Sequence, residues 1–144
     1  MPVLVSTRGC RSPTLLARVR RSGARLLDAL RMPQAELSVV LVDDRHIRRL
    51  NRDYRGRDRA TDVLSFAQQE GPAGAPAGLL GDVVISVPAT RRQARERGVR
   101  LADEGDRLLV HGVLHLLGYD HEGSAAEARR MRRRERALAR VLDA

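Results

Sequence analysis

The chain has 144 residues, of which 42% are hydrophobic and 31% charged, and we expect residues 1–144 to form one domain with its own hydrophobic core. No apolar run reaches the roughly 20 residues that a membrane-spanning helix needs, and Cys10 is the only cysteine, so the composition excludes a disulfide scaffold and predicts a cytoplasmic protein. The formal net charge is +9 and all 27 basic residues are arginines, which favours binding to nucleic acid over a basic surface that only water contacts.

The first half of the chain predicts strands that alternate with helices. A strand at residues 3–6 precedes a helix at residues 13–30, which begins with Ser12 as N-cap and Pro13 in its first position. A second strand follows at residues 36–42, and Asp43 or Asp44 caps a short helix that reaches about Tyr54. Strands at residues 61–66 and 79–87 are expected to pair as a hairpin across the Gly/Pro/Ala-rich residues 68–78.

After residue 87 the sequence predicts helices only. Pro88 opens a helix that reaches about Arg97, and residues 101–117 form the most regular helical pattern, which stops at Gly118. Ser124 caps a last helix that runs nearly to the C-terminus. Early strands and late helices predict an α+β fold, with a small mixed sheet of about four strands and helices packed on it.

Three of the four histidines fall within eleven residues near the end of the long helix. His111 and His115 are four residues apart, so both side chains lie on one helix face and can bind one ion. Gly118 can end the helix in a left-handed conformation and return the chain so that His121 becomes the third ligand. The spacing predicts one zinc ion per chain, in a metzincin-like three-histidine arrangement with a zinc-bound water whose pKa is roughly 7.

The residue between the first two histidines argues against a peptidase. The pattern HxxxHxxGxxH has the ligand spacing of metzincin peptidases, in which a glutamate follows the first histidine and acts as general base. This chain has Gly112 at that position, and glycine cannot accept a proton. The opposite helix face is apolar and should direct the histidines into a cleft. His46 has no comparable neighbours and is interpreted as a surface residue.

Residues 111–121 resemble the HGxLHLxGYDH signature of the YbeY endoribonuclease family, also called the rRNA maturation factor family. Residues 50–66 resemble a second block of that family, and residues 81–86 resemble a third. Downstream, a similarly spaced trio is formed by Glu127, Met131 and Glu135. The resemblance covers roughly residues 36 to 140. The sequence departs from the family at Ala60 and Ala67, where proline is frequent, which puts loop rigidity in doubt more than chemistry.

The resemblance implies a zinc-dependent, single-strand-specific endoribonuclease that acts in 16S rRNA 3′-end maturation, ribosome assembly and ribosome quality control. It implies that His111, His115 and His121 bind zinc, and that the functionally important arginine of the family is Arg55. It also implies RNA as substrate, with small ribosomal subunit proteins and the GTPase Era as partners, and no membrane.

Arg55 is the candidate for neutralising charge on the scissile phosphate, while zinc polarises a second oxygen. Its rivals in the same segment are Arg52, Arg57 and Arg59. Either zinc-bound hydroxide or the 2′-hydroxyl of the RNA attacks the phosphorus, and the sequence does not distinguish these routes. Asp120 either orients a histidine or caps the turn.

Other residues near the motifs have plainer interpretations. Asp62 and Asp82 are expected to fix turns, and Tyr119 to pack beside the site. The arginines of the last helix form a solvated face or contact RNA. With only three aromatic residues in the chain, binding must depend on charge and shape rather than base stacking.

Two alternative functions remain at this point. One is a non-catalytic ribosome assembly factor that contains a structural zinc ion, and the other is a metal hydrolase of another bond. Structural zinc sites usually have four protein ligands, and no fourth ligand is apparent here. The net charge favours an anionic polymer as substrate.

Overall fold

The computed structural model of the protein describes residues 3–67, 79–120 and 122–143. The predicted connection at residues 68–78 and the predicted third ligand, His121, lie outside the described residues. Within the described ranges, no helix is both long and apolar enough to cross a membrane.

The described residues form four strands and five helices, in the order that the sequence predicts. They are β1 (Val3–Arg8), α1 (Pro13–Ala29), β2 (Glu36–Val42), α2 (Asp44–Arg55), β3 (Val63–Ala67), β4 (Leu79–Ser86), α3 (Val87–Arg97), α4 (Leu101–Leu116) and α5 (Ala125–Asp143).

The strands form one mixed sheet in the order β1-β2-β4-β3. β1, β2 and β4 are parallel, and β3 runs antiparallel to β4. The predicted α+β class and the pairing of the third and fourth strands are thereby confirmed. The strand boundaries that differ most from the prediction are decided by pairing: β1 continues to Arg8, opposite Val42, and β3 begins at Val63, opposite Ile85.

The two faces of the sheet are covered differently. Successive strand residues point to opposite faces, so Leu37, Val39 and Leu41 join the main core whereas Val42 joins a smaller cluster. The main core also contains buried residues of α1, α4 and α5. The smaller cluster lies under α2 and consists of Val42, Ile47, Phe66 and Val84.

The central helix of the main core is α4, which is also the helix that contains the histidines. Its residues Leu109, Val113 and Leu114 are fully buried. Near its start, Asp106 accepts hydrogen bonds from Arg18 Nη2 at 2.7 Å and from Ser22 Oγ at 2.6 Å. These bonds compensate a carboxylate that is only 7% exposed, and they fix α4 against α1.

Candidate active site

The last turns of α4 bring two imidazole rings together, as the i, i+4 spacing predicts. The Nε2 atoms of His111 and His115 lie 3.1 Å apart, and the ring centroids are 4.6 Å apart at an interplanar angle of 70°. Both residues are half-buried. Two nitrogens bound to one tetrahedral zinc ion at about 2.0–2.1 Å are about 3.3 Å apart, so this pair has the donor chemistry and spacing that zinc requires.

Gly112 explains how close α4 lies to the sheet. A Cβ atom at this position would meet Val83 Cγ1 at 2.6 Å and Ser65 Oγ at 3.2 Å. Ser65 Oγ also donates a hydrogen bond to the Gly112 carbonyl at 2.7 Å. At the position of the metzincin glutamate, this chain therefore has a glycine that packs directly against β3 and β4. A side chain at residue 112 would push the helix away from the sheet.

The chain leaves α4 through the predicted left-handed glycine. The helix ends at Leu116, and Gly118 has a φ angle of +93°. Asp120 Oδ1 accepts a hydrogen bond from the Glu122 backbone N–H at 2.8 Å, which agrees with the turn-capping alternative for Asp120. Tyr119 packs against the main core, and its predicted position beside the site stays a prediction.

No complete metal site is visible in the part of the chain that the structure describes. Within those residues, no group of three or more histidines, cysteines or carboxylates is placed to hold a metal ion. His111 and His115 are brought together, whereas His121 lies outside the described residues. The three-histidine assignment therefore stays a prediction.

Both histidines line a cavity of about 600 Å³ between α4 and the segment that joins α2 to β3. Four arginines contribute to its walls, namely Arg55, Arg57, Arg59 and Arg107. Two carboxylates, Asp62 and Glu122, line it as well. We call this space the histidine cavity. Its arginines give it the charge that attracts a phosphodiester backbone.

Arg55 is the last residue of α2, because Gly56 adopts a left-handed conformation with a φ of +70° and ends the helix there. Its Nη2 donates to the Ser65 carbonyl at 2.6 Å, and its guanidinium lies 4.8 Å from the centre of the Phe66 ring. These contacts direct Arg55 along β3 toward the histidine cavity. The rival Arg52 instead forms an exposed ion pair with Asp53.

Arg107 is a cavity residue that the sequence analysis missed. Its Nε donates to Glu104 Oε2 at 2.9 Å and its Nη2 to Gln93 Oε1 at 3.2 Å. Gln93 in turn donates to Asp62 Oδ2 at 3.0 Å. The hydrogen bond to Glu104 raises the pKa of Arg107, which keeps the guanidinium charged. Its partner Glu104 is one turn earlier on α4, but Gln93 comes from α3, so the sequence alone does not place Arg107 beside the histidines.

Asp62 lies beside the start of β3, and its role in a turn stays a prediction. Its backbone carbonyl accepts from the Ser86 N–H at 2.9 Å, which extends the pairing of β3 with β4 by one residue. Its side chain also lines the histidine cavity and is bound by Gln93. Asp82 belongs to β4 rather than to a turn and lines a different cavity, beside His46, so that prediction for Asp82 is wrong.

His46 lies at the surface, as interpreted, with a side chain that is 33% exposed, but it has a neighbour that the sequence analysis did not identify. Its ring is half-buried, and Nδ1 lies 2.6 Å from Asp43 Oδ1. Asp43 is the N-cap of α2, and it accepts from the His46 backbone N–H at 2.9 Å. This backbone hydrogen bond is the main cause that lowers the pKa of Asp43. His46 is thus part of a helix cap.

A carboxylate from α5 reaches the first histidine. Glu135 Oε2 lies 3.2 Å from His111 Nδ1, across 24 residues of sequence. The family trio that includes Glu135 was the one signal in the sequence for this contact. His111 therefore presents one ring nitrogen to His115 and the other to Glu135.

Comparison with known proteins agrees with the blocks on which the resemblance was based. A sequence model described as Endoribonuclease YbeY matches residues 12–143. The chain belongs to the YbeY family. An Endoribonuclease YbeY of Anaeromyxobacter sp. strain Fw109-5 is 51% identical over 141 residues, covering 98% of this chain and 72% of that protein. The YbeY of Geobacter metallireducens is 47% identical over 146 residues, covering 99% and 97% respectively.

The YbeY match begins nearer the N-terminus than the predicted range of about 36 to 140, since it includes α1. The fold has a solved counterpart in the solution structure of TM1509 from Thermotoga maritima. That structure matches with a TM-score of 0.65 and 23% identity, covering 97% of this chain and 88% of that one. The match shows that a similar arrangement of strands and helices occurs in that protein.

Proposed function

We propose that this YbeY-family endoribonuclease cleaves single-stranded regions of ribosomal RNA with the help of one zinc ion. Its task is 16S rRNA 3′-end maturation, together with ribosome assembly and ribosome quality control. The observation that carries the proposal is the convergence of two imidazole Nε2 atoms, 3.1 Å apart, in a cavity lined by four arginines.

His111, His115 and His121 would hold the metal in this proposal. Imidazole nitrogen is a preferred ligand of zinc, and the spacing of the first two Nε2 atoms fits one ion. When bound, zinc supplies a Lewis acid beside the scissile phosphate and lowers the pKa of water. Gly112 supplies no general base at the position of the metzincin glutamate, which suits phosphodiester cleavage better than peptide hydrolysis.

Arg55 would bind and orient the scissile phosphate. Its position depends on Ser65 and Phe66 of β3, so the guanidinium is held before the substrate arrives. Arg57, Arg59 and Arg107 line the same cavity and would contact neighbouring phosphates. Recognition by charge depends on a single strand that can bend into the cavity, rather than on a defined base sequence.

The wider setting follows from family resemblance. We propose that the protein works in the cytoplasm, where the small ribosomal subunit is assembled, and that small-subunit proteins and the GTPase Era are its partners. We treat residues 1–144 as one functional domain, because the main core includes residues from Val3 to Leu142.

The decisive experiment compares RNA cleavage and zinc content of purified wild-type protein, His115→Ala and the matched control His46→Ala. His46 is the histidine bound to Asp43 on α2, outside the histidine cavity. We expect His115→Ala to lose both bound zinc and cleavage, and His46→Ala to retain them. Equal cleavage by wild type and His115→Ala would identify a contaminating nuclease and favour the assembly-factor alternative.

The ends of the RNA products separate the two routes of attack. A 5′-phosphate with a 3′-hydroxyl, or the reverse pair without a cyclic intermediate, indicates attack by water. A 2′,3′-cyclic phosphate indicates attack by the 2′-hydroxyl of the RNA and excludes direct hydrolysis. Mass spectrometry of a short defined oligoribonucleotide after cleavage makes this distinction.

A further inference from the structure

Glu135 occupies an unusual position on α5. The buried residues of this helix are Met131, Leu138 and Leu142, at spacings of seven and four residues that define one apolar face. Glu135 is four residues after Met131, and so it lies on that same face in a helix whose other charges are mostly exposed arginines. A carboxylate in an apolar stripe needs a polar partner, and its partner is His111 Nδ1 at 3.2 Å.

This contact decides which nitrogen of His111 carries its proton. A neutral imidazole has one N–H group, and an ionised carboxylate can only accept a hydrogen bond. The proton must therefore be on Nδ1 for the contact with Glu135 to be favourable. Nε2 then carries the lone pair, and it faces His115 Nε2 at 3.1 Å.

We propose that Glu135 is a positioning residue that holds His111 in the Nδ1–H tautomer and aims its Nε2 lone pair at the metal site. The inference rests on the proposed zinc site and assigns a role to a residue outside the three-histidine motif. Carboxylates bound to the second nitrogen of a histidine ligand fix the ring orientation and raise its basicity, and their loss lowers metal affinity by roughly 10–100-fold.

The burial of both side chains strengthens the effect. His111 is 23% exposed and Glu135 is 27% exposed, so water competes only partly for the hydrogen bond. Arg107, one turn before His111 on α4, is paired with the buried Glu104. Glu104, and not Glu135, is therefore the principal carboxylate bound to Arg107.

The test uses the full chain and Zn²⁺ alone, with Glu135→Ala, Glu135→Gln and the control Asp143→Asn. Asp143 is the last residue of α5, and its substitution removes one negative charge from the same helix far from His111. Zinc affinity is measured by competition with a chelator of known affinity. In metal-free protein, ¹⁵N NMR of the imidazole nitrogens reports the tautomer of His111.

We expect Glu135→Ala to bind zinc roughly 10–100-fold more weakly and to lose the Nδ1–H tautomer of His111. Glu135→Gln should lose less affinity, because its amide oxygen still accepts from Nδ1 but has no charge. Asp143→Asn should match the wild type. Thermal unfolding checks that each variant folds, and the isosteric Glu135→Gln serves if Glu135→Ala does not.

Two results would overturn the inference. One is zinc affinity within about threefold of wild type in both Glu135 variants, well below the loss expected for such a carboxylate. The other is a wild-type His111 with its proton on Nε2. If the wild type binds no zinc but His111 is the Nδ1–H tautomer only when Glu135 is present, the zinc proposal fails while Glu135 keeps its positioning role.

Discussion

The two walls of the histidine cavity are built on different principles. The α4 wall contains His111, His115 and Arg107, and two of these are bound to carboxylates, Glu135 and Glu104. The opposite wall contains Arg55, Arg57 and Arg59 at the end of α2 and in the segment after it. These arginines are exposed, and Arg55 is held by a backbone carbonyl and an aromatic ring.

This difference between the two walls indicates that they have different roles in the proposed site. Side chains that are half-buried and bound on several sides keep one geometry, which suits metal binding and chemistry. Exposed arginines keep their charge available to a polyanion, which suits substrate binding. Substitutions of the histidines and of Glu135 should therefore alter metal affinity, and substitutions of the cavity arginines should alter RNA turnover, RNA binding and salt dependence.

The largest effect is expected for Arg55→Ala. Removing one group that stabilises charge in the transition state lowers kcat by roughly 10²–10³-fold, while thermal stability should change little because the side chain is exposed. Steady-state kinetics on a short single-stranded RNA measures kcat and KM separately. Arg52→Ala is the control, since Arg52 pairs with Asp53. Equal losses in both variants would show that only general charge matters.

The packing of the α4 wall is tested by Gly112→Ala. The added methyl group meets Val83 Cγ1 at 2.6 Å, and overpacking of this kind costs about 1–3 kcal/mol of unfolding free energy. Urea unfolding measures the loss. In the double variant Gly112→Ala/Val83→Ala, the second substitution makes room for the added methyl group. Its loss of unfolding free energy should therefore be smaller than the sum of the losses in the two single variants. Strict additivity would contradict the close approach of α4 to β4.

Arg107 and Arg97 form a matched pair that separates a role in RNA binding from a role in binding Glu104. Both bind the buried Glu104, and each variant leaves the other arginine on it. Only Arg107 lines the histidine cavity. We expect Arg107→Ala to raise KM for RNA by roughly fivefold, which corresponds to about 1 kcal/mol, and Arg97→Ala to leave KM unchanged. Similar KM values for both variants would remove Arg107 from the substrate surface.

The smallest effect concerns Arg57 and Arg59. The double variant Arg57→Ala/Arg59→Ala should raise KM only a few-fold at low salt, because each exposed arginine binds phosphate weakly. It should also flatten the dependence of log affinity on log salt concentration by roughly 0.7 for each phosphate that is no longer neutralised. Fluorescence anisotropy with labelled single-stranded RNA at several salt concentrations gives this slope. An unchanged slope would place these arginines outside the RNA path.

Local features were predictable from the sequence. The caps Asp43 and Ser124 and the left-handed Gly118 are where the prediction puts them. The histidine pair follows from helical periodicity alone. Strand ends were less accurate, because the partner strand decides where pairing stops, as at Arg8 and Val42.

Contacts between distant elements could not be predicted in this way. Glu135 meets His111 only because α5 packs on α4, and Arg107 meets Gln93 only because α3 packs beside it. The contact of His46 with Asp43 is local, three residues apart, and was missed because Asp43 was considered only as a helix cap. The contacts of Glu135 and Arg107 with residues of other helices depend on tertiary packing, which hydrophobic periodicity and motif spacing do not describe.

Ser65 gives the site a property that matters for protein engineering. Its hydroxyl binds the Gly112 carbonyl between the two histidines, and its own carbonyl accepts from Arg55. One strand residue thus connects Arg55, which we propose binds phosphate, to α4, which contains two of the proposed metal ligands. Transfer of this site to another scaffold would require three short segments. These are the end of α2, the middle of β3 and the last turns of α4. Its success would depend on reproducing one serine as the spacer between them.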